Sequence, residues 1–134
     1  MPDGEIYNLE CGQQVIVNLG TPKQMVLMFF YEAQNQDQPG YIDLDWVIIE
    51  VGSNAEGPWS LVFNWGNTNA SDNGSIHSYH YKNGEMDNEP VPFEELNEKT
   101  GILIGVGGSY QYIRISAPPG CSDPAQIDAI RLYP

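Results

Sequence analysis

"YQYIRISAPPGCSDPAQIDAIRLYP" (Tyr110–Pro134) holds two runs that read as strands, Tyr110–Ser116 and Ile127–Tyr133, on either side of a loop with Pro118, Pro119, Gly120, Cys121 and Asp123. In the first run Ile113 and Ile115 alternate with Tyr112 and Arg114, the period of two that sets one strand face against a core and the other toward water. Pro-Pro-Gly cannot continue a ladder, so the chain turns there. A pair of half-buried antiparallel strands follows.

The same alternation recurs outward from this segment. In "QVIVNLG" (14–20) Val15, Val17 and Leu19 share a face, and in "WSLVFNW" (59–65) Trp59, Leu61, Phe63 and Trp65 are expected to do so. "MVLMFFY" (25–31) is apolar throughout, as in a strand covered on both sides. Turn chemistry separates the runs at "DQPGY" (37–41), "SNAEGPW" (53–59), "SDNGS" (71–75), "KNGE" (82–85) and "APPG" (117–120). Only "PFEELNEKTG" (92–101) has a helical pattern, stopped by Gly101. One all-β domain over residues 1–134 is expected, an antiparallel β-sandwich or jelly roll of about eight strands with one short helix.

A chain of 134 residues can bury about two-thirds of its unfolded surface. Charged residues are only 17% of it, against about 25% in ordinary domains, while 14 Gly and 10 Pro favour many turns. Eighteen acidic residues against five basic ones give a net charge of −13, which repels nucleic acid and anionic membrane surfaces. Cations, neutral glycans and basic proteins suit it better. The excess acid also keeps an exported protein soluble.

No run of 18 apolar residues exists, so no membrane insertion is expected, and "MPDGEIYNLE" has neither the basic flank nor the apolar core of a signal peptide. The chain is then either cytoplasmic or a module from a larger exported protein, and Met1 before Pro-Asp-Gly, read as a start placed at a domain boundary, favours the second. Cys11 and Cys121 are too few for a four-cysteine zinc site and form no CxxC motif. They are two separate thiols, or a pair closing a loop of 110 residues, worth about 4 to 5 kcal/mol in the chain-entropy model.

Two segments resemble a known family. "DWVIIEVGSNAEGPWSLVFNWG" (45–66) is similar to the strand, turn, tryptophan, strand hairpin of galactose-binding-like (discoidin or carbohydrate-binding-module type) jelly rolls. "YIRISAPPGCSDPAQIDAIRLYP" (112–134) resembles their closing strand pair. The resemblance runs in order from about Ile42 to Leu132. It implies a non-catalytic binding module of a secreted or surface protein, with a structural calcium near the termini. It also implies a disulfide stapling the ends, which Cys11 and Cys121 match in placement. The long Asn/Asp-rich insertion from Asn64 to Glu89 departs from discoidin members.

Asp128 carries a separate argument. If Ile130 and Leu132 face the core, alternation turns Asp128 inward too, where it needs calcium, an arginine such as Arg114, or backbone N–H groups. The opposite register would leave it in solvent. Calcium takes six to eight oxygens, and Asp43 and Asp45, two apart in "IDLDW", with Glu10 near the N-terminus, are the expected companions. "NTNASDNGS" (67–75) is oxygen-rich, but its spacing is not an EF-hand's; it reads as a solvated turn with two glycosylation sequons.

Tyr112 and Arg114, with Tyr110, share an outward face, and Trp65, Tyr79 and Tyr81 border the polar insertion beside His77 and His80. Flat rings beside amides and charged groups suit a sugar, one stacking on its C–H face and the others bonding its hydroxyls. The same rings would equally cover an outer sheet face or touch a neighbouring domain of the parent protein. No GxSxG, HExxH or P-loop is present, and His77 and His80 would point to opposite strand faces. A non-enzymatic extracellular or cell-surface module for a glycan or cell-surface ligand is expected; a purely structural β-sandwich domain is the alternative.

Overall fold

The computed structural model describes residues 7–32, 41–65, 89–92, 101–121 and 125–134, at 41–44, 89–92 and 101 through the backbone alone. In chain order the strands are β1 (Tyr7–Leu9), β2 (Gln14–Glu32), β3 (Tyr41–Leu44), β4 (Ile48–Gly52), β5 (Trp59–Asn64), β6 (Glu89–Pro92), β7 (Gly101–Ser116) and β8 (Ala125–Tyr133). Six form an antiparallel sheet in the order β1-β8-β2-β7-β4-β5, while β3 pairs with β6. The protein is all-β, with no helix among the described residues. Most of the segment expected to be helical, 93–100, lies outside them.

β2 serves two halves of the large sheet. Its C-terminal half lies between β7 and β8, with Phe30 opposite both Ile102 and Ile130. Its N-terminal half pairs with β7 alone, Val15 opposite Ile115 and Val17 opposite Ile113. Between the halves the ladder jumps from Asn18–Tyr112 to Lys23–Tyr110, so four residues of β2 bulge past one of β7. Gly20 takes φ +86° there, and its N–H donates to Asn18 Oδ1 at 2.9 Å. The Gln111 amide also donates to Asn18 Oδ1, at 3.1 Å, and bridges the bulge from β7.

The core runs along the inner face of this sheet. Val15, Ile115, Ile49 and Phe63 are opposed in sequence across β2, β7, β4 and β5. Met28, Phe30, Ile102 and Ile104 continue it and are fully buried. "MVLMFFY" is covered on both faces as expected except at Val26, 49% exposed at a second irregularity opposite Val106 and Gly107. On its other face Phe29 meets Tyr133 edge-on at 5.4 Å between centroids. Among the described residues, β8 and the N-terminal half of β2 flank an apolar cleft of about 340 Å³ whose floor is Ile113 and Ile115.

Two bulges correct the sequence reading. Ile49 faces Phe63 and Glu50 faces Leu61, so Val62 is an extra residue in β5. The extra residue inverts the side-chain parity, turning Trp59 and Leu61 outward while Phe63 and Trp65 stay in the core; the four do not share a face. In β8, Tyr31 faces Ala129 but Glu32 faces Ile127, so Asp128 is itself the bulged residue. Ile127, Ile130 and Leu132 thus all line the inner cleft despite their mixed parity.

Cys11 and Cys121 form a disulfide, with Cα atoms 5.6 Å apart and a sequence separation of 110. It joins the turn after β1 to the loop after β7. Backbone bonds dock the two beside it: Gly12 N–H donates to Ala117 O at 2.7 Å, and Ala117 N–H to Gln13 O at 3.0 Å. Such a bond forms and persists in an oxidising compartment. No helix among the described residues is long and apolar enough to cross a membrane.

Candidate functional site

The outer face of the β2-β7-β4-β5 region carries two adjacent cross-strand rows. One reads Ile16, Arg114, Glu50, Leu61 and the next Asn18, Tyr112, Gly52, Trp59. Rows two residues apart are about 7 Å from each other, within reach of long side chains. Arg114 Nε donates to Glu50 Oε1 at 2.9 Å, and its NH2 group lies 2.8 Å from the same oxygen. The guanidinium carbon sits 4.5 Å from the centre of the Trp59 ring, a cation–π stack.

Glycines set the indole. A Cβ at Gly52 would stand 3.0 Å from Trp59 Cε3 and 3.0 Å from Pro58 O; one at Gly57 would stand 2.9 Å from Trp59 Cδ1. Two side-chain-free positions therefore let the ring lie close against the backbone, where Arg114 can reach it. The result is a platform of a half-buried indole, a phenol at Tyr112, a guanidinium and a carboxylate, rimmed by Ile16 and Leu61, 39% and 45% exposed. It offers a ring face, donors and acceptors together.

Tyr112 and Arg114 are thus placed on the outer face as expected, whereas Tyr110 packs partly buried against the core. Trp65 is a correction: it is fully buried, with its N–H donating to Val47 O at 3.2 Å, and presents no ring to solvent. Tyr79, Tyr81, His77 and His80 and the sequons lie outside the described residues. Sequence reasoning missed Trp59 and Glu50. The glycines at 52 and 57 around an aromatic were the available signal.

Of the four expected calcium ligands, Asp43 is described through its backbone alone, and Glu10, Asp45 and Asp128 lie among the described side chains. Glu10 lies in the exposed turn after β1, its N–H taken by Gln13 Oε1 at 3.2 Å. Tyr7 faces Ile127 and Leu9 faces Ala125, so Glu10 is three positions along β1 from Tyr7, about 10 Å from the Asp128 end of β8. Asp43 stands opposite Pro90 in the β3–β6 pair. Asp45 follows the end of β3 and is not two apart from Asp43 on one strand.

Asp45 is fully buried, and its Oδ2 accepts from Gln126 N–H at 3.1 Å. A second buried carboxylate, Glu32 at the end of β2, accepts from Asp45 N–H at 3.1 Å. Asp128, half-buried, is the bulged residue beside Ile127, the partner of Glu32. No group of three His, Cys, Asp or Glu side chains able to hold a metal is found among the described residues. Those residues alone do not build the shell that calcium takes.

The chain matches no protein-family model, no curated protein and no solved structure with which it was compared.

Proposed function

We propose that the protein is a non-catalytic binding module of an exported or cell-surface protein, and that its ligand is a glycan or glycan-bearing surface. The observation that carries this reading is the outer-face platform of Trp59, Tyr112, Arg114 and Glu50. A sugar ring needs an aromatic face for its C–H groups and charged or amide partners for its hydroxyls, and the platform supplies both. The disulfide and the net charge of −13 suit an oxidising, extracellular setting and a neutral ligand. In this reading the six-stranded sheet is part of a galactose-binding-like jelly-roll sandwich.

A structural calcium belongs to the same reading, and the strongly acidic chain supports it. A second reading, a structural domain with no small ligand, is favoured by Ile16 and Leu61, which flank the Arg114–Glu50 pair as apolar neighbours would at a domain contact. A glycan array separates the two: saturable binding lost in Trp59→Ala supports the module, and an array silent for the wild type favours the structural domain.

A further inference from the structure

A second surface has a different chemistry. The cleft between β8 and the N-terminal half of β2 is walled by Val15, Val17, Leu19, Ile130 and Leu132 over the floor of Ile113 and Ile115. Its volume, about 340 Å³, lies in the usual range of small-molecule sites, about 300–1,000 Å³. Val17, 37% exposed, marks its lip. Leu19 and Leu132 also belong to a neighbouring hollow that runs on to Lys23, Gln24 and Pro134. The two hollows thus form one track, aliphatic within and cationic at one end. Lys23 is one of five basic residues in the chain and makes no ion pair among the described residues.

We propose that this track binds the alkyl chain of a fatty acid, with its carboxylate at Lys23. The walls decide between an alkyl chain and a peptide. Apart from Tyr7, every described residue lining the cleft is aliphatic, so an inserted peptide would bring backbone N–H and C=O groups with no side-chain partners among them. An alkyl chain brings none. The head group follows from charge: in a protein of net −13 a cationic amphiphile would be drawn to almost any surface, but this mouth holds a lysine. The site lies on the inner face of β2 and β7 and is independent of the Trp59 platform on the outer face.

Isothermal titration of the full chain with octanoate, decanoate and dodecanoate, each below its critical micelle concentration, tests the site. One-to-one saturable binding is expected, tightening about fourfold per added methylene. Val17→Trp should narrow the lip and weaken dodecanoate at least tenfold, with its melting curve checking that the fold is kept. Lys23→Glu, at an exposed position, should weaken decanoate roughly two- to fivefold and leave decanol unchanged. No saturable binding, no dependence on chain length, or many ligands per chain would overturn the site. Lys23→Glu binding decanoate as the wild type does, or dodecyltrimethylammonium binding as tightly as dodecanoate, would overturn the head-group assignment.

Discussion

Arg114 stacks its guanidinium on Trp59 at 4.5 Å while donating to Glu50 at 2.9 Å, so one side chain holds both the ring and the carboxylate of the outer face in position. With the side chains of Arg114 and Glu50 24% and 19% exposed, the stack is worth about 1 kcal/mol and the ion pair no more. Trp59→Ala should therefore cost little stability yet reduce affinity for a glycan found on an array about tenfold or more. Tyr112→Ala should weaken it less. Titration calorimetry with the sugar, beside thermal melts, reads both effects.

Gly52→Ala tests how the indole is set. The new methyl would stand 3.0 Å from both Pro58 O and Trp59 Cε3, and backbone cannot yield as a flexible side chain can. Expected are a loss of about 1–3 kcal/mol in urea denaturation and a shifted tryptophan emission, as the ring is pushed off the sheet. An unchanged spectrum and midpoint would show that the ring does not rest there.

The Cys11–Cys121 bridge closes a long loop, so replacing both cysteines by serine should destabilise the protein by about 2–5 kcal/mol. Mass spectrometry of non-reduced peptides should show the linked pair first. Since the backbone bonds between Gly12, Gln13 and Ala117 survive the substitution, the native fold should persist at low temperature.

Glu32→Ala would remove the acceptor of the Asp45 N–H and should cost about 1–3 kcal/mol. For the structural calcium of the functional reading, adding the ion at about 100 times its Kd should stabilise the protein by about 2.7 kcal/mol, and Asp128→Ala should abolish the gain. Identical melting curves in EDTA and in millimolar calcium would remove the metal from the functional reading.

Strands with strict alternation were legible in the sequence, and those with a bulge were not. Ile113 and Ile115 face the core and Tyr112 and Arg114 face out, because β7 is continuous there. "WSLVFNW" has the same local pattern, yet Val62 inverts it, since a bulge depends on what the partner strand offers and leaves no mark in the strand's own periodicity. That parity change hid Trp59 among core residues and put Trp65 among surface ones. Asp128 escaped for the same reason: an argument from alternation fails at the residue where alternation is broken. The cysteines' places, near both ends, were legible; the register of β1 against β8 and the backbone bonds of Gly12 and Gln13 with Ala117 bring them together.

That register also sets when the protein can fold. β1 pairs only with β8 in the large sheet, Tyr7 opposite Ile127, so the earliest strand waits for the last one. On a ribosome, β2, β4, β5 and β7 can pair as they emerge, but β1 has no ladder until the tenth residue from Pro134 is outside the exit tunnel. Contacts this distant in sequence slow folding, toward the millisecond-to-second range of non-local β topologies. Until then the edge of β2 that pairs with β8 is open, and a chain stalled or cut before β8 would meet the quality-control machinery with that strand edge unpaired.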